Sequence, residues 1–159
     1  MLKRIGIILT CVILIFILIK SGTSVHLDEN PSSERLIQFF EKNSKIFDDV
    51  VTRLKDTSDD ISIDKRDGDN IDLISKKVSK SGIVPYKIEE DMKNDISMIL
   101  YEYGFLEIYK EANFIYFDKY VGFQWHKALV YSIDGSLPNL SKSREFHDIG
   151  NGWFYYDGE

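Results

Sequence analysis

The fold is decided by residues 114–135, which read FIYFDKYVGFQWHKALVYSIDG. Within 123–133, apolar residues occupy every second position apart from one lysine, and this period of two is typical of a strand with one buried face. The pair Asp134-Gly135 is a turn signal that closes this strand. Gly122 separates it from an earlier strand over 114–121. The stretch therefore predicts two strands of an antiparallel sheet.

More strands are predicted on both sides of this stretch. Sixteen of the 21 aromatic residues lie between Tyr101 and Tyr156, as expected for strand-forming sequence. Residues 105–110 form one predicted strand. Segments 145–149 and 153–157 form two more, which flank a Gly-Asn-Gly hairpin signal. The total is an antiparallel sheet of about five strands.

The preceding part of the chain has helical periodicity. Pro31 to Lys55 repeats apolar residues at helical spacing, with Asn30 as the expected cap. A short helix is expected over 70–80, and another from Pro85 to Gly104. The prediction is an α+β fold, with about three helices packed on one face of the sheet. It forms a single domain over 31–159, mainly helical over 31–104 and mainly strands over 105–159.

The polar stretch 56–70 contains six aspartates and invites a calcium-loop interpretation. With Gly68 at the obligatory glycine position, the ligand positions before it would be Ile63, Lys65 and Asp67. Only the last of these has a suitable side chain. We therefore interpret the stretch as a solvated loop, with a short strand at 61–63, and predict no metal site.

Residues 1–24 are predicted to be a membrane anchor or a signal peptide. The run from Ile5 to Ile19 is continuously apolar and follows Lys3 and Arg4, which favours an inside N-terminus and an outside domain. Residues 2–20 are just long enough to span a bilayer, and we rank this anchor above a signal cleaved near Ser24. The polar segment 25–30 is a linker. Cys11 lies within the apolar run, so lipidation there is not expected.

Charge and cysteine content exclude several functions. The formal net charge is −6, and the three basic residues among the first twenty leave 17 basic against 26 acidic side chains, or −9, for the rest. A domain this acidic is a poor binder of nucleic acid, which requires clustered basic residues. The domain has no cysteine, so thiol catalysis and cysteine-ligated zinc are excluded. No motif indicates a cofactor.

Candidate catalytic residues are few. His126 and His147 lie on predicted strands, and Asp134 and Asp148 are their acidic neighbours in sequence. A small extracytoplasmic hydrolase would bring one histidine and one acid into a single pocket. The spacing matches no metal-binding motif, and no nucleophile elbow surrounds any serine. Asp118 paired with Glu107 is a further acid–base candidate, although alternation along two strands explains both residues equally well.

The aromatic residues indicate a binding surface. Apolar residues fall on both alternating faces of the strands at 114–120 and 153–156, so one face would remain after the other packs on the helices. The predicted binding residues are Tyr116, Tyr120, Trp125, Tyr131, Trp153 and Tyr155. The alternative is that the chain covers both faces itself. The sequence thus favours a non-enzymatic, membrane-tethered or exported module that binds a protein or a small ligand. Because the domain is acidic, the partner could be a basic protein, such as a secreted toxin that this module would bind in the manner of an immunity protein.

Overall fold

The computed structural model describes residues 27–57, 60–65, 73–79, 82–85, 87–121, 126–137 and 144–158. In chain order the elements are α1 (Ser33–Leu54), β1 (Asp60–Lys65), β2 (Leu73–Ser79), β3 (Gly82–Pro85), α2 (Glu90–Ser97), β4 (Glu107–Glu111), β5 (Phe114–Val121), β6 (His126–Ser132), β7 (Arg144–Gly150) and β8 (Trp153–Gly158). A π-helical turn, Met98–Glu102, continues α2. The predicted segment 1–24 lies outside the described residues. Within them, no helix is both long enough and apolar enough to cross a membrane.

The eight strands form one antiparallel sheet in the order β3-β2-β1-β4-β5-β6-β8-β7. Strands β1, β2 and β3 follow one another toward one edge of the sheet, which β3 forms. Helix α2 then connects β3 to β4, which pairs with β1 on the side opposite to β2. The hairpin of β7 and β8 folds back so that β8 lies between β6 and β7. Buried residues of both helices join one face of the sheet in a single core. The predicted α+β class with an antiparallel sheet is confirmed.

The element counts differ from the prediction. The described residues form two α-helices and eight strands instead of about three helices and five strands. The helix predicted over 70–80 is wrong, because Leu73–Ser79 is strand β2, paired on one side with β1 and on the other with β3. Ile74 and Val78 are four residues apart, which fits both a helix face and a strand face. Segment 31–104 thus contains strands β1, β2 and β3 in addition to the helices.

Helix α1 begins slightly later than predicted. Its cap is Ser32, not Asn30, and the Ser32 hydroxyl accepts a hydrogen bond from the Arg35 amide at 3.3 Å. The helix buries seven residues along one stripe, namely Leu36, Phe39, Phe40, Phe47, Val50, Val51 and Leu54. This stripe packs on the sheet, and we call that side of the sheet the helix face. The opposite side is the distal face.

Phe47 lies at the centre of the helix-face core. Its side chain is fully buried, and its ring contacts Phe117 of β5 at 5.2 Å and Phe105 at 5.4 Å between centroids. It also meets Trp153 of β8 edge-on at 6.2 Å. One ring of α1 therefore contacts two strands and the segment that leads into β4. Edge-to-face aromatic pairs of this kind stabilise beyond the area they bury.

Lys119 fixes the start of the described chain to the sheet. Its buried ammonium donates to the carbonyl oxygens of Leu27 at 3.1 Å, Tyr103 at 2.9 Å and Gly104 at 2.8 Å. The Leu27 side chain is also buried. A second lysine, Lys127, donates to the Pro31 carbonyl at 2.9 Å. Leu27 and Pro31, at the two ends of a segment that overlaps the predicted linker, are therefore packed against the domain, whereas the three residues between them are exposed.

Replacing Phe47 tests the central position of this ring. We expect Phe47→Ala to lower the free energy of unfolding by about 3–5 kcal/mol, because the cavity would lie among rings that cannot collapse around it. Urea unfolding followed by circular dichroism measures the change. The control is Lys45→Ala on the exposed side of the same helix, which should stay within about 0.5 kcal/mol of the native protein. Equal effects of the two substitutions would contradict this account.

Candidate functional site

The distal face carries an ordered array of side chains on β1, β4 and β5. Strand pairing places Asp64 opposite Glu107 and Glu107 opposite Asp118. One alternation further along, Ser62 lies opposite Tyr109, which lies opposite Tyr116. Two residues further along β4, Glu111 lies opposite Phe114 of β5. On the other side of β4, Asp60 of β1 follows the last paired residue, Ile61, and so lies beside Glu111. An acidic row, a Ser-Tyr-Tyr row and a second row with two acids thus lie side by side.

A cleft of about 380 Å³ opens along β1 and β4. It is lined by Asp60, Ile61, Ser62, Glu107, Tyr109, Lys110 and Glu111. The side chains of Ile61 and Lys110 alternate to the helix face, so the groups presented on the distal side are three carboxylates, one hydroxyl and one phenol ring. The cleft is therefore acidic at both ends and aromatic in the middle.

Internal contacts hold these groups in place. The Ser62 hydroxyl donates to Glu107 Oε1 at 2.6 Å, and Asp60 Oδ1 accepts from the Ala112 amide at 3.0 Å. The Tyr109 ring stacks on Tyr116 with centroids 4.4 Å apart and planes 9° apart. Tyr116 is itself buried within a distal cluster with Ala128, Val130, Phe154 and Tyr156. The middle of the cleft therefore rests on a second small core.

Asp118 is the β5 member of the acidic row and lies directly opposite Glu107. Its side chain is only 5% exposed, and Oδ2 lies 2.8 Å from Nε2 of His126. Burial raises the pKa of the Asp118 carboxyl, and the charge of Glu107 adds to the rise, while His126 opposes it. The other oxygen, Oδ1, has no hydrogen-bond partner among the described residues. Burial also raises the pKa of the Tyr109 phenol, with the Asp118 charge as the next largest cause.

The structure does not bring the predicted catalytic residues together. His126 lies on the distal face of β6, whereas His147 is exposed on the helix-face side of β7 and stacks on Tyr155 at 6.0 Å. The carboxylate of Asp134 accepts from Ser136, which lowers its pKa. The carboxylate of Asp148 accepts from the Gly150 amide. The acid that contacts His126 is therefore Asp118, which follows from strand pairing and not from proximity in sequence.

The predicted binding aromatics separate into several groups. Trp153 and Tyr155 are buried in the helix-face core, so the expectation of a binding surface at these two positions is wrong. Tyr131 is half-buried against the Trp153 ring at 5.2 Å. Tyr120 belongs to β5, and its side chain is outside what the structure describes. Trp125 lies outside the described residues.

Tyr116 is on the distal face, as the binding interpretation requires, but the chain itself covers it. Tyr156 is likewise buried there. In the described part of the sheet, aromatic residues therefore fill two cores, one on each face. Over β5, β6 and β8 this corresponds to the alternative in which the chain covers both faces, whereas the distal side of β1 and β4 is open.

Sequence reasoning missed Tyr109, Glu111 and the two β1 residues of the cleft, Asp60 and Ser62. The signal for the first two was available, because Glu107, Tyr109 and Glu111 alternate along one strand. The signal for Asp60, Ser62 and Asp64 was the same alternation, hidden within a stretch interpreted mainly as a loop. No cluster of potential metal ligands occurs in the ranges that the structure describes.

Comparisons of the chain with protein-family models, with curated proteins and with solved structures gave no match. The chemistry of the distal cleft is therefore the basis for inferring a function.

The raised pKa of Asp118 predicts a pH-dependent stability difference. In the window above the ordinary aspartate pKa, the folded protein retains a proton that the unfolded chain has released, so its stability falls as pH rises. An asparagine at this position has no such proton to lose. We therefore expect the Asp118→Asn variant to gain stability relative to the native protein as pH rises from roughly 4 to 6.

Urea unfolding at several pH values within that window measures this difference. The exposed α1 substitution Asp49→Asn provides the control, for which we expect no comparable trend. A constant difference between Asp118→Asn and the native protein across the window would refute the role assigned to burial of Asp118.

Proposed function

We propose that this protein is an exported or membrane-tethered, non-enzymatic binding module whose distal cleft binds a positively charged ligand. The proposal depends on one observation, the convergence of carboxylates at both ends of a cleft with an aromatic ring between them. Carboxylates accept hydrogen bonds from ammonium and guanidinium groups, and a tyrosine ring attracts a cation over its face. A ligand with cationic groups satisfies both features of the cleft.

The electrostatic balance supports the same conclusion. Outside the first twenty residues, acidic side chains exceed basic ones by nine, so the field of the domain favours cations. Like charges directly opposite one another on neighbouring strands are destabilising, and Glu107 lies opposite Asp118, whose pKa its charge helps to raise. A bound cation would relieve that repulsion, so the acidic row contributes more favourably to the complex than to the free protein.

The location is supported by the N-terminal sequence. An apolar run from Ile5 to Ile19 after two basic residues is a targeting signal of the anchor or signal-peptide kind. An acidic domain outside the membrane would be repelled by anionic headgroups and would remain available to soluble cationic ligands. This placement, together with the cleft, describes a receptor-like or capture module.

Binding of a cationic probe tests the proposal. We expect labelled hexalysine to bind the full-length protein in a salt-sensitive manner, and hexaglutamate not to bind, as measured by fluorescence anisotropy. The double substitution Glu107→Gln/Glu111→Gln should weaken hexalysine binding by roughly tenfold, because it removes two ion pairs. The matched control, Glu41→Gln/Asp49→Asn, removes the same charge from α1. Equal weakening by both variants would show that only net charge matters and would contradict a cleft site.

A hydrolase is the second candidate, favoured by the 2.8 Å contact between His126 and Asp118. A histidine held by a buried carboxylate can act as a general base. Under the binding proposal, we expect chromogenic esters and glycosides to be hydrolysed no faster by the native protein than by His126→Gln. Turnover that is lost in His126→Gln and retained in His147→Gln would instead establish the hydrolase and displace the binding module.

A further inference from the structure

We infer that the edge strand β7 pairs antiparallel with β7 of a second copy of this chain, in the register that places Phe146 opposite Phe146 of the second copy. This dimer goes beyond the proposed function, because β7 is separated from the cleft strand β4 by three other strands. Three features carry the inference: the exposed outer side of β7, a half-buried ring at the centre of the strand, and an order of charges that is complementary to itself.

The first feature is the outer side of β7. Within the described part of the chain, β7 pairs with β8 alone and forms one edge of the sheet. Three of its residues, His147, Asp148 and Gly150, are exposed. On an edge strand, every second residue directs its N–H and C=O groups away from the sheet, where another strand can pair with them.

The opposite edge of the sheet, β3, is protected against such pairing. Strand β3 is four residues long and ends in Pro85, which has no N–H to donate. Strand β7 is seven residues long, and its sequence, REFHDIG, contains neither proline nor lysine. A bulge between Asp148 and Gly150 interrupts its pairing with β8 near the hairpin. Residues 144–148 therefore form the regular segment that is available to a second copy.

The second feature is Phe146, at the centre of that segment. Strand pairing places it opposite Tyr156, and the two ring centroids are 5.1 Å apart. The Phe146 side chain is half-buried at the margin of the distal cluster. Because neighbouring strands lie about 4.8 Å apart, Phe146 of a second copy would pack on this ring in the proposed register. The distal clusters of the two copies would then form one continuous apolar core.

The third feature is the order of charged residues along the segment. In an antiparallel pair centred on Phe146, Arg144 lies opposite Asp148 of the second copy. In the same register, Glu145 lies opposite His147 of the second copy, and two-fold symmetry repeats both pairings. Centring the pair on Glu145 would instead place two glutamates opposite each other. Centring it on His147 would place Phe146 opposite Asp148. The order of charges therefore favours the register centred on Phe146.

The symmetry of this pairing places both clefts on the same side of the joined sheet. When a residue pairs with itself across two antiparallel strands, the distal face of one copy continues as the distal face of the other. The dimer therefore presents two clefts in one direction. If each cleft binds cations as proposed above, a long polycation can contact both, which raises its apparent affinity.

Disulfide cross-linking tests the register. Phe146→Cys is introduced into the full-length chain together with Cys11→Ala, which removes the single native cysteine. Oxidation of the purified protein in detergent micelles should give a covalent dimer on a non-reducing gel, because directly opposed residues are close enough for a disulfide. Asp148→Cys alone should give no covalent dimer, since the two thiols would lie about 13 Å apart along the strands. An equimolar mixture of Arg144→Cys and Asp148→Cys should form the dimer again. Lys45→Cys on the exposed side of α1 measures random collision.

Charge reversal tests the affinity with Phe146 in place. Sedimentation equilibrium of the full-length protein in density-matched detergent measures the dissociation constant of the dimer. Asp148→Arg should weaken the dimer by about tenfold, because symmetry replaces two attractive pairs with two repulsive ones. The double variant Arg144→Asp/Asp148→Arg should recover the native affinity.

The control for charge reversal is Asp49→Arg on the exposed side of α1. It makes the acidic domain less negative by the same amount as Asp148→Arg, so it should not weaken the dimer. Circular dichroism and the unfolding midpoint confirm that each variant is folded before it is measured.

Three results would overturn the inference. A native protein that sediments as a monomer at every concentration would exclude the dimer. A covalent dimer of Asp148→Cys alone would show a different register. A double variant that stays as weak as Asp148→Arg would show that the two residues do not face each other. Cation binding by a single cleft is measured separately, so it stands or falls independently of these results.

Discussion

The packing of one phenyl ring, that of Phe47, determines how the two layers of this fold meet. The ring contacts β5, β8 and the segment that leads into β4, so the position of α1 over the sheet depends on it. Because α1 and α2 cover the helix face, the distal face is free to carry a different chemistry. The same strands that bury Ile108 and Phe117 on one side present Glu107, Tyr109 and Asp118 on the other.

The distal face combines two neighbouring environments. Toward β6, β7 and β8 it is aromatic and buried, whereas toward β1 it is acidic and open. Tyr116 belongs to the first environment and supports Tyr109, which belongs to the second. This arrangement gives the cleft a rigid floor, because a tyrosine stacked on a buried neighbour cannot move independently. Rigid groups lose little conformational freedom when a ligand binds, which favours affinity.

The strand-rich ending was predictable because its signals agree with each other. Alternation marks the strand at 123–133, and Gly150-Asn151-Gly152 marks a hairpin in which Asn151 has a positive φ of 55°. The β2 strand was not predictable, because the spacing of Ile74 and Val78 fits two periodicities and only pairing with β1 decides between them. The pairing of Asp118 with Glu107 could be predicted because the short turn at Ala112-Asn113 sets the register of β4 against β5. The contact of Asp118 with His126 depends on the register shift at Asp118/Tyr120 in the pairing of β5 with β6, which local sequence does not indicate.

Lys119 gives the domain a fixed point of attachment. Its ammonium holds the Leu27 carbonyl, and Leu27 is itself buried, so the chain enters the domain through a clamped residue. A force that pulls on the chain from the N-terminal side of Leu27 would therefore act first on the hydrogen bond between Lys119 and the Leu27 carbonyl, and only then on α1. The clamp joins β5 to the entering chain, and β5 also carries Asp118 and Tyr116. A pull on the chain would in this way be transmitted to β5 and from there to its hydrogen-bonded neighbour β4.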